Sequence, residues 1–519
     1  MKKYPTPLLL VLLMLAFTAC KTEKPPKVNN TAPNIIIILA DDMGFSDLGC
    51  TGSEIETPNL DKLAAEGALF TNFYNTSRCC PSRTSLLTGQ YQWDAGMGHM
   101  TRPLGNLPEY QGYINSKSIT IAEALKQKGY QTFMSGKWHV GEQRHMWPDK
   151  RGFDQFYGVP SGGGLYYYPS PFYERSVFWN GEQVHPDSNW YSTEGFTDYT
   201  VDYIKNQRKK DQPFFIYQAY IAPHFPLQAK KGDIEKYRNL YTHGYDSIRA
   251  ARFKKQIALG IFPDSSQPSA PAYMAWNELE NPNNEAHKMT VYAAMVDCMD
   301  QNIGRIMETL EKEGIAENTI ICFLSDNGAC SRKFNETPDA EIGTRHSNAA
   351  YGDWYNVSNT PYRKFKREEH EGGIITPMII NWPKGIKNKG QLIRSPAHIS
   401  DFMPTMLEIV GANYPSHYNG NKLDSLDGKS FAHLLEDSTK TDTTRTLFWE
   451  HEGNRAVRQG YWKLVAAHNE EWELYQLKKD PFETENLINT YPKIASSLLV
   501  KYKTWAKKHK VANWPIEVN

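Results

Sequence analysis

The run Ile35-Ile36-Ile37-Ile38-Leu39-Ala40, led in by Asn34 and stopped by Asp41-Asp42, constrains this chain more than any other segment. A β-branched run with no polar alternation describes a strand that has no solvent face. Such a strand needs cover on both sides, as in a parallel sheet flanked by helices. The following residues agree with that frame. Thr57-Pro58 reads as the cap and first residue of a helix, with Leu60, Leu63 and Ala64 on one face and Gly67 as its stop. Residues 118–128 read as a second helix, closed by Gly129 and followed by a strand at 130–134. A strand at 212–220 comes next. A long helix at 287–313 then shows the buried stripe Tyr292, Met295, Val296, Met299, Ile303, Ile306 and Leu310. Strands at 319–324 and 373–382 complete an α/β pattern with helices on both faces.

After about residue 435 the pattern changes. Short strands at 447–452, 455–465 and 472–477 precede a helix at 493–508, a small antiparallel sheet plus helix. The expected division is therefore a catalytic α/β unit at 33–435 and a C-terminal subdomain at 436–519.

The N-terminus reads as an export signal over 1–19. Lys2 and Lys3 are followed by an apolar stretch from Leu8 to Phe17, too short to span a bilayer. Cys20 follows Thr18 and Ala19, as in a bacterial lipoprotein, and would carry the lipid. Residues 20–32, with Pro25-Pro26, read as a tether. The expected location is the cell envelope, periplasmic or at the outer membrane, anchored through Cys20. Lys plus Arg and Asp plus Glu both number 58, so the chain is neutral. That excludes a nucleic-acid binder built on a basic surface. Seven cysteines at positions 20, 50, 79, 80, 298, 322 and 330 contain no CxxC pair and no disulfide framework.

In open α/β sheets ligands bind beyond the carboxyl ends of the strands. Here the first strand ends in Asp41-Asp42, and the strand before Ser325 ends in Asp326-Asn327-Gly328. Three carboxylates and an amide brought together need a cation, and an all-oxygen set suits Ca²⁺, with Mg²⁺ second. Other strand ends are cationic: Gly136-Lys137-Trp138-His139, Pro223-His224-Phe225-Pro226, and Lys366 ahead of the strand at Ile374. Cations beside an acidic metal site describe a pocket for a metal-bound anion. Cys79-Cys80-Pro81-Ser82-Arg83-Thr84-Ser85-Leu86-Leu87-Thr88-Gly89 adds a thiol at the start of a helix expected to begin at Pro81 or Ser82. An activated thiolate is the plain reading, yet a thiolate suits a hard cation poorly.

This segment resembles the signature of the type I sulfatases, Cys-x-Pro-Ser-Arg followed by Leu-Thr-Gly, with Cys79 in first place. The resemblance runs from about Asn34 to the C-terminus. It takes in Asp41-Asp42, Gly-Lys-Trp-His, Pro-His-x-Pro, Asp326-Asn327-Gly328, and Lys366 followed by Glu371-Gly372-Gly373. It implies an alkaline-phosphatase-like fold, a large mixed, mostly parallel sheet with a smaller C-terminal subdomain. It also implies that a maturation enzyme oxidises Cys79 to formylglycine before export. The hydrated aldehyde would attack sulfur in line, and the sulfated hemiacetal would then collapse to expel sulfate. By the same resemblance Asp41, Asp42, Asp326 and Asn327 hold Ca²⁺ with formylglycine-79, and Asp326 takes the attacking hydroxyl's proton. Arg83 and Lys137 orient the diol, His139 is a candidate base for the elimination, and Lys137, His224 and Lys366 bind sulfate. One of His224 and Lys366, His224 by preference, protonates the leaving oxygen. Only Cys79, not Cys80, has Pro81 and Arg83 at the required offsets.

Two stretches are read as forming the substrate end. The first, residues 161–192, is rich in Gly, Pro and aromatics, including Tyr166-Tyr167-Tyr168, Tyr173, Trp179, Trp190 and Tyr191. The second, residues 345–362, offers His346, Asp353 and Trp354 to a sugar's hydroxyls. The expected substrate is a sulfated carbohydrate, cleaved at its non-reducing end. Tyr362-Arg363-x-x-Lys366 ahead of His370-Glu371-Gly372-Gly373 resembles the subfamily acting on galactose-type sulfates. The alternatives are a broad arylsulfatase, or a phosphatase or phosphodiesterase of the same superfold. The latter calls for two zinc ions and a Ser or Thr nucleophile.

Overall fold

The computed structural model describes residues 32–442 and 444–516, together with Met1. The rest of the expected signal (2–19), Cys20 and the tether up to residue 31 lie outside the described residues.

The strands are β1 (Asn34–Ala40), β2 (Ala68–Tyr74), β3 (Gln131–Lys137), β4 (Gln155–Val159), β5 (Val177–Trp179), β6 (Glu182–Val184), β7 (Phe214–Ala219), β8 (Thr319–Ser325), β9 (Ile375–Asn381), β10 (Gln391–Ile393) and β11 (Ala397–His398). They form one sheet in the order β10-β2-β9-β8-β1-β7-β3-β4-β5-β6, with β11 beside β2. Strands β8, β1, β7, β3 and β4 are parallel neighbours. β9 runs antiparallel between β8 and β2, and β5 turns back against β4. The sheet is thus mixed and mostly parallel.

β1 lies at its centre and explains its own composition. Ile36 and Ile38 pack on one face against the long helix α3 (Pro282–Lys312), through Met295, Met299 and Ile303. Ile35, Ile37 and Leu39 pack on the other, near Leu86 and Leu87 of α2 (Cys79–Thr88). Each fully buried aliphatic side chain contributes about 1.5–3 kcal/mol of transfer free energy. No residue of β1 has solvent to face, so alternation would gain nothing.

The C-terminal part holds β14 (Thr446–His451), β15 (Asn454–Gln459), β16 (Trp462–Ala466) and β17 (Glu473–Gln476), an antiparallel meander in sequence order. The two-residue strands β12 (His417–Tyr418) and β13 (Asn421–Lys422) precede it. Helix α4 (Pro492–Lys508) packs Leu498, Tyr502 and Trp505 against the meander's Val457 and Leu464. The expected single strand at 455–465 is therefore two strands, which turn at Gly460. Two further boundaries shift. Residues Glu371–Ile374 form a helical turn before β9, and α2 begins at Cys79 itself, with Arg78 as its cap residue. Buried ionic groups join the meander to the main sheet. Lys463 donates to Glu371 Oε1 at 2.6 Å and lies 2.8 Å from Glu483 Oε1, while Tyr74 donates to Glu371 Oε2 at 2.6 Å.

Candidate active site

β1 and β8 are adjacent and parallel, with Ala40 opposite Ser325, so Asp41-Asp42 and Asp326-Asn327 emerge side by side. Asp42 has a left-handed backbone (φ 67°), as does His139 (φ 57°). Non-glycine residues hold that conformation at a cost, and such strain gathers at functional sites. On β3 the residue before Lys137 has to be glycine. A Cβ on Gly136 would lie 1.9 Å from the carbonyl oxygen of Ala219 on β7. The absence of that carbon lets Lys137 approach the middle of the sheet edge.

The side chains converge. Arg83 is fully buried; its Nε and Nη2 donate to Asp326 Oδ2 at 3.0 and 2.9 Å, and its Nη1 donates to the Lys137 carbonyl at 3.0 Å. Lys137 Nζ donates to Asp41 Oδ2 at 2.5 Å, and Lys366 Nζ donates to Asp42 Oδ1. The Asn327 amide donates to Asp42 Oδ1 at 2.8 Å, and the Asp42 backbone N–H donates to Asp326 Oδ1 at 3.2 Å. His224 Nε2 lies 3.5 Å from Asp42 Oδ2. Its Nδ1 meets the Phe225 carbonyl at 2.6 Å, which fixes Nδ1 as the donor and turns Nε2 to the site. Cys79, Cys80 and His139 bring ligand-type atoms within 4.8 Å of one another, and so do Asp41, Asp42 and His224.

The donor set fits a hard cation. Asp41 Oδ1, Asp42 Oδ2 and Asn327 Oδ1 are buried without a hydrogen-bond partner. A buried acceptor left unpaired costs on the order of 1–3 kcal/mol. Three together, from three of the five expected ligands, describe an oxygen cradle suited to Ca²⁺ or Mg²⁺. Electrostatics agree. Burial and the Asp41 charge push the Asp326 carboxyl well above the usual range, although Arg83 pulls it back. A cation between these carboxylates reverses that push. Burial also raises Asp41, but Lys137, His224 and Arg83 outweigh it and hold its carboxyl well below the usual range. Contact with Cys80 lowers the Cys79 thiol, and Lys137, Lys366 and His139 lower it further against its burial. Burial, reinforced by Lys137, holds His139 neutral, with its pKa down at about 4. Burial likewise lowers His224, against the pull of Asp42.

Cys79, Arg83, Lys137, His139, His224, Asp326, Lys366, Asp41, Asp42 and Asn327 thus meet at one sheet edge. The proposed hydroxyl readers do not join them. Trp354 is wholly buried; its indole donates to the Glu285 carbonyl at 2.7 Å, and it packs on Tyr241, Tyr245 and Trp276. Asp353 pairs with Lys333, and His346 is exposed. A loop sequence does not reveal which face of the loop turns inward. Two residues of that stretch meet the insertion: Asn348 accepts from Tyr173 OH at 3.3 Å, and Arg345 donates to the Tyr168 carbonyl at 3.2 Å and lies over the Tyr167 ring. His370 and Glu371 are also turned away from the sulfate end. His370 Nε2 bonds Glu473, and Glu371 holds Lys463, so the motif behind the galactose expectation carries structural bonds.

The insertion divides similarly. Tyr166 and Tyr191 are buried, their rings 5.7 Å apart, and β5 and β6 extend the sheet. Tyr166 OH donates to the His224 carbonyl at 2.5 Å and so positions His224, a role its sequence context does not signal. A cavity of about 830 Å³ lined by Tyr167, Ile234, His287 and Gly343 contains none of the converging residues, so size alone does not mark the chemistry here.

Comparison with known proteins gives the family. Residues 33–412 match the sulfatase family model, and residues 362–508 match a model described as N-sulphoglucosamine sulphohydrolase, C-terminal. An uncharacterized sulfatase of Schizosaccharomyces pombe is 36% identical, covering 90% of this chain and 92% of its own. An arylsulfatase of Klebsiella aerogenes is 35% identical, covering 73% and 87% respectively. The crystal structure of Ps i-CgsB in complex with k-i-k-neocarrahexaose is 26% identical, with a TM-score of 0.70 over 94% of this chain and 95% of that one. The alkaline-phosphatase-like fold expected from the sequence is the fold observed. On the family match and the extent of the likeness, the chain belongs to the sulfatase family and is a sulfuric ester hydrolase.

Proposed function

We propose that this sulfatase hydrolyses a sulfate ester of a carbohydrate, at the non-reducing end of a sulfated glycan, with formylglycine-79 and Ca²⁺. The observation that carries the reading is the buried cradle of unpartnered oxygens on Asp41, Asp42 and Asn327, beside Cys79 at the start of α2. Hydrated formylglycine would supply an oxygen nucleophile, and Ca²⁺ would supply positive charge for the transferring sulfuryl group. Asp41, Asp42, Asp326, Asn327 and residue 79 would hold the ion.

The chain's own residues do the rest. Arg83 locks Asp326 through two donors on one oxygen, so that carboxylate cannot swing. Lys137 and Lys366 offer ammonium groups to sulfate from positions fixed by Asp41 and Asp42. His224 turns Nε2 to the site; it gives a proton to the leaving oxygen only as the imidazolium, which the neighbouring Asp42 and Asp41 carboxylates favour against burial. His139 is neutral and accepts a proton in the second half of the reaction. Near-complete burial of Cys79, Arg83 and Asp326 excludes water and strengthens each of these interactions.

A sugar substrate is supported by the neocarrahexaose complex of the related structure. Arylsulfatase activity of broad specificity is the second reading, favoured by the Klebsiella relative. A panel of sulfated monosaccharides differing in sulfate position, galactose sulfates among them, assayed beside an aryl sulfate, separates the two. Inert sugar sulfates with a high kcat/KM for the aryl sulfate would overturn the carbohydrate reading.

We also read 33–435 as the catalytic unit, 436–519 as its subdomain, and the protein as a cell-envelope lipoprotein matured at Cys79 before export. Among the described residues no helix is long and apolar enough to cross a membrane. On this reading Cys20→Ala moves the protein from the membrane fraction to the soluble one with catalysis unchanged. Continued membrane fractionation of the variant removes the anchor assignment.

A further inference from the structure

The stretch Ser161-Gly162-Gly163-Gly164 crosses directly over the converging side chains. A Cβ on Gly163 would lie 3.2 Å from His224 Nδ1 and 3.5 Å from Asp41 Oδ2. A Cβ on Gly162 would lie 3.2 Å from His139 Nε2 and 3.5 Å from Arg175 Nη2. Arg175 and His139 therefore face one another across a single backbone step that carries no side chain. Arg175 Nε donates to the Gly163 carbonyl at a long 3.4 Å. Among the described residues the guanidinium has no carboxylate partner, whereas Arg83, Lys137 and Lys366 are each paired with an aspartate. Its position is braced: Tyr173, two residues earlier, packs its ring against Gly164 and donates to Asn348.

An arginine stays protonated at any working pH and offers a planar fork of donors that matches a carboxylate or sulfate. Held half-buried and uncompensated beside a catalytic histidine, it lacks the anion that would complete it. On the reading above, Lys137, His224 and Lys366 already serve the sulfate that is cleaved. We propose that Arg175 is a specificity residue, which binds a second anionic group on the sugar, a sulfate ester or a uronate carboxylate next to the scissile ester. The preferred substrates are thus doubly anionic saccharides. This rests on the carbohydrate reading above and narrows it.

The test measures binding to Cys79→Ala protein by calorimetry, which needs no turnover. Three disaccharides carry the same non-reducing-end sulfate. One has a second sulfate, one a uronate, and one no further charge. A charge-assisted contact predicts that at least one anionic compound binds about tenfold tighter than the neutral one. Whichever arm shows the gain identifies the group. Arg175→Gln in the same background should erase that ratio, and Arg175→Lys should keep part of it. In the active enzyme Arg175→Gln should raise KM for the anionic substrate and leave its kcat nearly unaltered. Equal binding of all three compounds, or a ratio that survives Arg175→Gln, overturns the proposal. So does an equal loss of kcat on an aryl sulfate, which would put Arg175 in the grip on the cleaved sulfate itself. If the anionic preference holds while no sugar sulfate is hydrolysed, the carbohydrate reading falls and the anion site stands.

Discussion

Replacing Lys463 by methionine should loosen the seam between the meander and the main sheet. Lys463 has no exposure, and its ammonium serves two buried carboxylates, Glu371 at 2.6 Å and Glu483 at 2.8 Å. Those acids hold other groups in turn. Glu371 accepts from Tyr74 OH, and Glu483 accepts the backbone N–H of Glu371 at 2.8 Å. The variant leaves two carboxylates buried with no cation between them. Removing one partner of a buried pair costs about 3–5 kcal/mol, and the remaining hydrogen bonds keep this case within that range. If the meander opens as a local unit, amide exchange in β15 and β16 should quicken by a factor of roughly 10²–10⁴. Exchange read by mass spectrometry on the full chain gives the answer without assuming two-state unfolding. A triple variant, Lys463→Met with Glu371→Gln and Glu483→Gln, should recover most of the protection, because the two carboxylates that Lys463 served are then uncharged. Exchange within threefold of the unaltered protein in Lys463→Met would refute the reasoning.

Three further outcomes are expected. A peptide spanning Cys79 should be lighter by about 18 Da than its unmodified form in active protein; Cys79→Ala should abolish turnover and Cys80→Ala keep most of it, whereas full activity with an intact thiol at 79 removes formylglycine from the account. Chelation of Ca²⁺, or Asp42→Ala, should remove activity with the far-ultraviolet circular dichroism retained, since the cradle sits at strand ends; an active metal-free enzyme contradicts the cation. Burial raises the Glu450 carboxyl from an ordinary 4.5 to about 8. A raised acid favours the folded state most below its unfolded value and loses that advantage as pH climbs toward about 8, so unaltered protein should fall in melting temperature relative to Glu450→Gln over that span. Parallel melting curves for the two proteins would contradict this.

The chemistry was legible because it hangs on strand ends. Asp41-Asp42 and Asp326-Asn327 each close a continuous apolar run, and a run of that kind announces its own boundary. β2 was not legible: in Ala68–Tyr74 the polar Thr71 and Asn72 interrupt the apolar residues, and its position between β9 and β10 comes only from pairing. Orientation was equally hidden. Asp353, Trp354 and His346 look like readers of hydroxyls in a linear string, but packing against Tyr241 and Tyr245 claims the tryptophan. Conversely Tyr166, Asn348 and Arg175 earn their places through contacts far apart in the chain, which no local pattern encodes.

The burial of Cys79, which is 2% exposed, has a consequence in time. On the formylglycine reading, an enzyme that oxidises this residue must bind the backbone around it, and the finished fold offers no such purchase. The groups that seal it arrive late, since Arg83 and its partner Asp326 are separated by 243 positions. At a synthesis rate of roughly 5–20 residues per second, the segment around Cys79 stays unsealed for roughly 10–50 seconds after it leaves the ribosome. A sheet that closes only when its distant central strand is made is slow to fold. Here that delay sets the interval in which residue 79 is open to covalent change, and once β8 docks against β1 the opportunity closes with it.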